Sequence, residues 1–158
     1  MSNVLEIYTD GAALGNPGKG GYGIVMKYGK AVKEMSHGYA HTTNNRMELL
    51  AVIVALECIK KPDVLIKVYT DSKYVHDAIQ LKWLNKWIKT GFKDKKNPDL
   101  WMRYWKVAQT LNVHLHWVKG HAGHPENERC DVLATTIAKQ GPWSKDHAYE
   151  NTEKQSLL

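Results

Sequence analysis

A short sequence pattern occurs twice in this chain and ends each time in an aspartate. Tyr8-Thr9-Asp10 closes one apolar segment, and Tyr69-Thr70-Asp71 closes another. If the two segments are neighbouring parallel strands, their ends place Asp10 and Asp71 side by side at the carboxyl edge of a sheet, where open α/β sheets bind ligands. Either aspartate alone would more simply cap a turn. The repetition favours a shared functional site.

Two further carboxylates stand in helical contexts. Glu48 lies at the start of an apolar helix, where it would ordinarily be a cap, and Asp131 lies inside the last helix, where it would ordinarily face water. If all four acids converge, repulsion and desolvation make the cluster unfavourable without cations. Mg²⁺ prefers oxygen ligands, and two such ions about 4 Å apart can activate a water and stabilise the leaving oxygen of a phosphodiester. Four acids without a cysteine favour Mg²⁺ or Mn²⁺ over Zn²⁺.

Histidines offer a competing metal site. His114, His116, His121 and His124 could be interpreted as zinc ligands, but the first two fit the solvated face of a strand and the spacing matches no strong zinc pattern. His121 lies in a glycine-flanked loop and suits a proton carrier that visits the site. A surface histidine without a role is the alternative.

Six of the twelve glycines lie between Gly11 and Gly23. Gly18 to Gly23 satisfies G-x-G-x-x-G, but the sequence continues as a strand, which excludes a dinucleotide site. The remaining hypotheses are an ordinary glycine-rich turn and a surface near Asp10 that a polymer backbone could approach closely.

A basic segment rich in tryptophan follows the middle of the chain, from Lys82 to Lys96. Trp83 and Trp87 are four residues apart, as are Lys82 and Lys86, so a helix would present adjacent aromatic and cationic stripes. Such stripes are typical of a solvated lysine face over core tryptophans, and equally of a groove wall that binds phosphates and packs on sugars.

The pattern of apolar residues and turn signals predicts the elements that position these groups. Predicted strands are Val4–Thr9, Gly21–Tyr28, Ala31–Tyr39, Val64–Thr70 and 113–118, and predicted helices are Met47–Lys60, Ser72–Leu81, Lys82–Lys89, Asn97–Leu111 and Pro125–Gln140. Short turns make the first three strands an antiparallel meander, and helical crossovers return the fourth and fifth parallel to the first. The predicted fold class is α/β, with a mixed five-stranded sheet flanked by helices.

Length and composition fit one globular domain of 158 residues that is 43% hydrophobic. The net charge of +6 permits a polyanion partner without proving one. We expect no membrane span, because no apolar run approaches the roughly 20 residues required, and the first residues lack the pattern of a secretory signal. Cys58 and Cys130 are expected to be reduced thiols of a cytoplasmic protein.

With these residues taken together, the chain resembles ribonuclease H of the bacterial type 1 family, and the resemblance extends from about Leu5 to Ala138. The resemblance is carried by four segments: Tyr8-Thr9-Asp10-Gly11 with Leu14-Gly15-Asn16-Pro17-Gly18; Thr42-Thr43-Asn44-Asn45-Arg46-Met47-Glu48-Leu49; Thr70-Asp71-Ser72; and Trp117-Val118-Lys119-Gly120-His121-Ala122-Gly123-His124-Pro125-Glu126-Asn127-Glu128-Arg129-Cys130-Asp131. Motifs of this length are far more specific than any single short pattern.

The resemblance implies a ribonuclease H fold and a catalytic domain over residues 1–142, and the polar residues 143–158 are predicted to form a loose tail. It also implies cleavage of the RNA strand of RNA–DNA hybrids, leaving 3′-hydroxyl and 5′-phosphate ends, with two Mg²⁺ ions per active site and Mn²⁺ as a substitute. We expect no membrane partner, no obligate protein partner and a monomer.

The resemblance also assigns expected roles to single residues. The metal-binding catalytic acids are Asp10, Glu48, Asp71 and Asp131, and the mobile proton shuttle is His121. Asn16, Asn44 and Asn127 are expected to meet the RNA strand and its metal site; Thr43, Asn45 and Trp83 to hold the DNA strand; and Asn97 to complete a DNA phosphate pocket. The lysine block with Trp87 resembles the basic protrusion of the family.

Some positions depart from the family pattern. Lys73 replaces a glutamine that usually contacts RNA, and a lysine there could bind a phosphate instead. His41 stands where an arginine is frequent, and Ala12-Ala13 stand where Ser-Cys is common. Two other functions remain open at this point: a module that binds hybrids without cutting them, and a related metal nuclease of the strand-transfer type that acts on duplex DNA.

Overall fold

The structure, a computed structural model, describes residues 4–60, 63–120 and 123–156. Its strands are β1 (Val4–Ala13), β2 (Gly18–Tyr28), β3 (Ala31–Thr42), β4 (Leu65–Thr70), β5 (Asn112–Trp117) and β6 (Trp143–Ser144). Its helices are α1 (Asn44–Glu57), α2 (Lys73–Gln80), α3 (Trp83–Lys89), α4 (Pro98–Ala108), α5 (Pro125–Gln140) and α6 (His147–Ser156). No helix within these ranges is both long and apolar enough to cross a membrane.

The sheet confirms the predicted α/β class and strand directions. Strands β1, β2 and β3 are antiparallel, and β4 and β5 run parallel to β1, in the spatial order β5-β4-β1-β2-β3-β6. Tyr8 of β1 lies opposite Tyr69 of β4 in the register. The two Tyr-Thr-Asp segments are therefore aligned, and Asp10 and Asp71 reach the same edge of the sheet.

In the C-terminal segment, predicted as a loose tail over 143–158, the structure describes regular elements between residues 143 and 156. Trp143–Ser144 adds a sixth strand to the predicted five and runs parallel to β3, and α6 follows. Between these elements lies Asp146, which is buried and accepts from Arg46 through Nε–Oδ2 at 2.7 Å and Nη2–Oδ1 at 2.9 Å. A buried, charge-assisted pair of this kind holds the segment against the domain.

Helix α1 is the central element of the core. It begins at Asn44, earlier than predicted, because Thr43 caps it by accepting the backbone N–H of Arg46 at 3.2 Å. Its apolar side chains are buried nearly all round, against β1 and β2 on one side and α4 on the other. The first turn of α1 is thereby fixed over the end of β1.

The glycine-rich part of β2 allows α5 to pack closely on the opposite face of the sheet. A Cβ at Gly23 would lie 2.3 Å from the carbonyl oxygen of Cys130, and one at Gly21 would lie 2.3 Å from Cγ2 of Ile137. Side chains at these two positions would push α5 off the sheet. For Gly21 and Gly23, the hypothesis of a surface approached by a polymer is therefore wrong.

Gly11 produces an equally close approach between β1 and α1. A Cβ at this position would lie 2.4 Å from the backbone nitrogen of Glu48 and 2.6 Å from the carbonyl carbon of Met47. Backbone atoms cannot rotate away from such a clash. The absence of a side chain at Gly11 is what lets Glu48 lie beside Asp10.

Replacing Gly11 by Ala is expected to lower the free energy of unfolding by about 2 kcal/mol or more, because α1 must move away from β1. Gly29→Asn is the matched control: Gly29 has φ of +59° in the β2–β3 turn with no atom near its missing Cβ, and Asn tolerates that conformation. Urea unfolding of both variants measures the difference. Equal losses at the two positions would show that the contact with α1 is not tight.

Candidate active site

Three acidic side chains converge at the carboxyl edge of the sheet. Asp10 is positioned by β1, Asp71 follows β4 directly, and Glu48 lies in the first turns of α1. Each offers a carboxylate oxygen, and these oxygens all lie within 4.8 Å of one another. Asp10 and Glu48 are buried, and Asp71 is half-buried. The structure thus brings together three of the four acids predicted to bind metal.

Burial and repulsion raise the pKa of two of these acids, Asp10 and Glu48, when no cation is bound. The pKa of Asp10 is raised to about 7, chiefly by burial and then by the charge of Asp71, although the N–H of Gly11 donates to its Oδ1 at 2.9 Å. The pKa of Glu48 is raised well above its ordinary value by burial and then by the charges of Asp10 and Asp71. A cation between the carboxylates would favour their ionised forms and so counteract both causes.

One carboxylate oxygen of this cluster lacks a protein partner. Oε2 of Glu48 is buried and accepts no hydrogen bond from the described residues. Such an atom is costly unless an ion or a donor meets it. Carboxylate oxygens are the ligands preferred by Mg²⁺ and Mn²⁺, so the residues present fit a hard divalent cation.

Asp131 lies near this cluster without joining the group of oxygens just described. Its charge contributes to the raised pKa of Asp10, after the larger effects of burial and Asp71. The preceding residue, Cys130, is buried and its thiol donates to the carbonyl oxygen of Tyr8 at 3.2 Å. Helix α5 therefore carries Asp131 to the end of β1, and its predicted metal-binding role stays a prediction.

The loop after β5 reaches the same site. A Cβ at Gly120 would lie 2.9 Å from Oδ2 of Asp71, and the N–H of Val118 donates to the carbonyl oxygen of Thr70 at 2.9 Å. The next residue, His121, lies outside the described residues. Its expected role as proton shuttle stays a prediction.

Trp117 supports Asp71 and was not predicted to do so. Its indole Nε1 donates to the carbonyl oxygen of Asp71 at 3.1 Å, and Nζ of Lys73 lies 4.8 Å from its ring centroid. In strand β5, Trp117 alternates with His114 and His116, which were expected on the solvated face, yet its own side chain is 41% exposed. Its register opposite Thr70, one residue before Asp71, is the signal that points to this contact.

Four of the predicted substrate-binding residues line a single groove of about 590 Å³, namely Asn16, Thr43, Asn45 and Asn97. Oδ1 of Asn16 accepts the N–H of Asn44 at 3.2 Å, which joins the loop after β1 to the start of α1. The side chain of Asn97 accepts from Arg46 at 3.2 Å and donates to the hydroxyl of Tyr74 at 3.1 Å. The groove and the acids share α1, since Asn45 and Glu48 are neighbours at i and i+3.

The two tryptophans of the basic segment have different surroundings. Trp83 is 40% exposed, whereas Trp87 packs edge-to-face on the buried ring of Trp101, with centroids 5.6 Å apart. Trp87 therefore contributes to the core, which agrees with the interpretation of the basic segment as a solvated lysine face over core tryptophans. Trp83 is placed where a ligand could reach it.

Asn127 is buried in the first turn of α5, and its Oδ1 has no hydrogen-bond partner among the described residues. It lies one turn before Asp131 on the same helix. Its predicted contact with the RNA strand stays a prediction.

Comparison with known proteins agrees with this geometry. The model of the RNase H family matches residues 2–139. The chain belongs to the ribonuclease H family. It is 56% identical over 146 residues to a ribonuclease H of Desulforamulus reducens, an alignment that covers 88% of this chain and 91% of that protein. Family membership makes it an endoribonuclease, a hydrolase of phosphodiester bonds.

Solved ribonuclease H structures show the same fold. LC9-RNase H1, described as a type 1 RNase H with the type 2 active-site motif, has a TM-score of 0.79 and 30% identity, covering 91% of this chain and 76% of that one. LC11-RNase H1, solved in complex with an RNA/DNA hybrid, has a TM-score of 0.66 and 27% identity, covering 86% of this chain and 97% of that one.

Mg²⁺ is expected to raise the melting temperature of this ribonuclease H more at about pH 8 than at about pH 5.5. Carboxylates must lose their protons to bind metal, and below its pKa of about 7 Asp10 retains one. At ten times its dissociation constant the ion stabilises by about 1.4 kcal/mol, or a few degrees. Scanning fluorimetry with and without Mg²⁺ measures the shift. A shift independent of pH would contradict binding at this cluster.

Proposed function

We propose that this protein hydrolyses the RNA strand of RNA–DNA hybrids, leaving 3′-hydroxyl and 5′-phosphate ends. The observation that carries the proposal is the convergence of Asp10, Glu48 and Asp71, with a buried Glu48 oxygen that accepts no hydrogen bond from the described part of the chain. The related LC11-RNase H1 was solved with an RNA/DNA hybrid, which supports the same substrate here. We expect the protein to act as a monomer in the cytoplasm, where Cys58 and Cys130 remain free thiols.

The four acids are proposed to hold two Mg²⁺ ions, with Asp131 completing the set that Asp10, Glu48 and Asp71 begin. When bound, such ions lower the pKa of an attacking water and stabilise the leaving oxygen. Asp10 and Glu48 must first give up the protons that burial makes them retain. His121 is proposed to move a proton between the site and solvent.

The remaining polar residues are proposed to position the hybrid. Asn16, Asn44 and Asn127 would contact the RNA strand, whose 2′-hydroxyl distinguishes it from DNA. Thr43, Asn45, Asn97 and Trp83 would hold the DNA strand, and Lys73, held against Trp117, would bind a phosphate. The groove beside α1 supports a role in binding for Asn16, Thr43, Asn45 and Asn97, because all four line it and it lies next to the acids on the same helix.

The test is a cleavage assay with end-labelled RNA–DNA hybrid, duplex RNA and duplex DNA in Mg²⁺. We expect only the RNA strand of the hybrid to shorten, at internal positions, and the 3′ ends of the products to accept extension by a polymerase. The control variant is Asp63→Asn, an exposed acid at the opposite edge of the sheet, before β4; it should leave the rate unchanged.

Other outcomes would replace the proposal. Cleavage of duplex DNA with the hybrid untouched would indicate a strand-transfer type of nuclease. Tight binding of the hybrid without cleavage in Mg²⁺ or Mn²⁺ would indicate a binding module.

A further inference from the structure

The groove beside α1 is lined in part by helix α6, which carries no predicted substrate contact. Its lining includes Ala148, Tyr149 and Thr152 of α6 together with Lys95 and Lys96 of the basic segment. The sequence pattern allows the lysines to bind phosphates, whereas it predicts a loose tail where α6 lies. The groove therefore combines cationic side chains with a helix surface.

Helix α6 is attached to the domain near both of its ends. Asp146 caps the helix, accepts two hydrogen bonds from the buried Arg46, and accepts the hydroxyl of Thr42 at 2.7 Å. Nearer the end of the helix, Glu153 pairs with His41 at 2.6 Å, in a half-exposed contact. The buried contacts of Asp146 thus place the start of α6 beside the groove.

The groove-facing surface of α6 offers no free hydrogen-bond donor from its two polar side chains. The hydroxyl of Thr152 donates to the carbonyl oxygen of Ala148 at 2.8 Å, and the hydroxyl of Tyr149 donates to Glu153 at 3.2 Å. What remains is the methyl group of Ala148, the ring of Tyr149 and the methyl group of Thr152. These apolar groups are suited to packing against a sugar, and the lysines that line the same groove attract phosphates. The groove is also lined by Thr43, Asn45 and Asn97, which are proposed to hold the DNA strand.

We propose that α6 is part of the substrate interface and that its groove-facing side packs against the sugar–phosphate backbone of the DNA strand. The inference rests on the proposed function, since it assumes a hybrid cut at the acidic cluster. On α1 the groove is lined by Asn45 and Arg46, within roughly 5 Å of Glu48 along the helix axis, and its lining includes α6 but none of Asp10, Glu48 and Asp71. The DNA strand therefore meets α6 outside the site of cleavage, so α6 contributes to binding and not to the chemical step.

A pair of neighbouring positions on α6 provides the test. Thr152 lines the groove, whereas Asn151 is equally exposed on the same helix but does not line it. Thr152→Lys is expected to lower KM about threefold or more, to steepen the salt dependence of log KM by roughly one phosphate contact, and to leave kcat unchanged. Thr152→Glu is expected to raise KM by a similar factor. Asn151→Lys and Asn151→Glu introduce the same charges one residue away. Each should change log KM by less than half of the change that the corresponding Thr152 variant produces.

Shortening the substrate identifies which strand α6 contacts. The DNA strand of the hybrid is trimmed stepwise, first from one end and then from the other. Once the DNA no longer reaches the groove, Thr152→Lys and Thr152→Glu should no longer differ in KM. Trimming the RNA strand outside the cleaved bond should leave that difference intact. Circular dichroism and melting temperature of all four variants check that α6 remains folded.

The outcomes separate the two claims. If hybrids are cleaved but charges at positions 151 and 152 change KM equally, α6 does not contact the DNA strand and the proposed function stands. The same conclusion follows if the KM difference between the Thr152 variants depends on the length of the RNA strand. If no variant and no wild-type protein cleaves hybrids, the proposed function itself fails. Direct binding of a fluorescent hybrid in EDTA then still reports whether the Thr152 variants differ from the Asn151 variants.

Discussion

Asp10→Asn is expected to abolish cleavage in Mg²⁺ and to make the metal-free protein more stable than the wild type. The loss of activity, on the order of a thousandfold or more, follows from the removal of a carboxylate from the only group of three acids that the described residues bring together. The gain in stability follows from the burial of Asp10 beside Asp71 and Glu48. Removing one of several like charges from a buried site relieves repulsion, by about 1–2 kcal/mol.

The gain in stability should depend on pH in a defined direction. The folded protein raises the pKa of Asp10 from 3.8 to about 7, so between these values the folded state binds more protons than the unfolded state. The contribution of this group to the free energy of unfolding therefore falls as the pH rises from about 4 to about 7. The stability difference between Asp10→Asn and wild type should be small near pH 4 and largest above pH 7.

Urea unfolding in EDTA at several pH values measures this difference, with Asp63→Asn as the control for the loss of one negative charge. Asp63 is exposed, and its replacement should alter stability by less than about 0.5 kcal/mol at every pH. A variant of Asp10 that is no more stable than wild type above pH 7 would argue against a tight, buried cluster.

Arg46→Ala is expected to cost about 3–5 kcal/mol of stability and to release α6. The guanidinium is buried, donates twice to Asp146 and twice to Asp99, and donates to Asn97. Deleting it leaves the buried Asp146 carboxylate without its cation, which is the costly way to break an internal ion pair. Because Asp146 caps α6, the helix should lose its attachment as well.

Arg103→Ala provides the control for Arg46→Ala. Arg103 also makes a two-pronged pair, with Glu57 at 2.7 and 2.6 Å, but this pair is exposed. Its loss should cost less than about 1 kcal/mol. Thermal unfolding ranks the two variants, and limited proteolysis after β6 reports release of α6. Equal losses would show that burial of the Arg46 network contributes little.

A second variant keeps this prediction informative if Arg46→Ala is too unstable to purify. Asp146→Asn retains the volume and can still accept the hydroxyl of Thr42, while it removes the charge that Arg46 neutralises. The double variant should lose less than the sum of the two single losses, because both changes disrupt one network. Strict additivity would mean that the two residues act independently.

Much of the fold follows from local sequence patterns. The strands of the meander are marked by apolar residues and turn signals, and helix α1 by a continuous apolar run after the capping residue Thr43, and these signals act over a few residues. The placement of Asp10 beside Asp71 could be predicted because the two Tyr-Thr-Asp segments end parallel strands in matching register. Glu48 could be suspected only as an acid inside an apolar helix.

The rest depends on contacts between residues far apart in the chain. Segment 143–156 is polar and reads as loose, yet Asp146 finds its partner Arg46 one hundred residues earlier. The sequence around the glycines of β2 indicates a turn or an open surface. In the structure, the carbonyl oxygen of Cys130 on α5 lies so close to Gly23 that a side chain there would clash with it. The sequence predicts equally well that Trp87 lies in the core or at an interface. Its packing on Trp101 in the structure shows that it belongs to the core.

The proposed cleavage depends on a divalent ion held between Asp10, Glu48 and Asp71, and locating that ion is its most direct test. Crystals of the wild-type protein soaked in Mn²⁺ would give an anomalous difference peak at each bound ion. We expect the strongest peak to lie in direct contact with carboxylate oxygens of these three residues, and to vanish in Asp10→Asn. No peak at this edge of the sheet at millimolar Mn²⁺, or a strongest peak elsewhere on the molecule, would contradict the account.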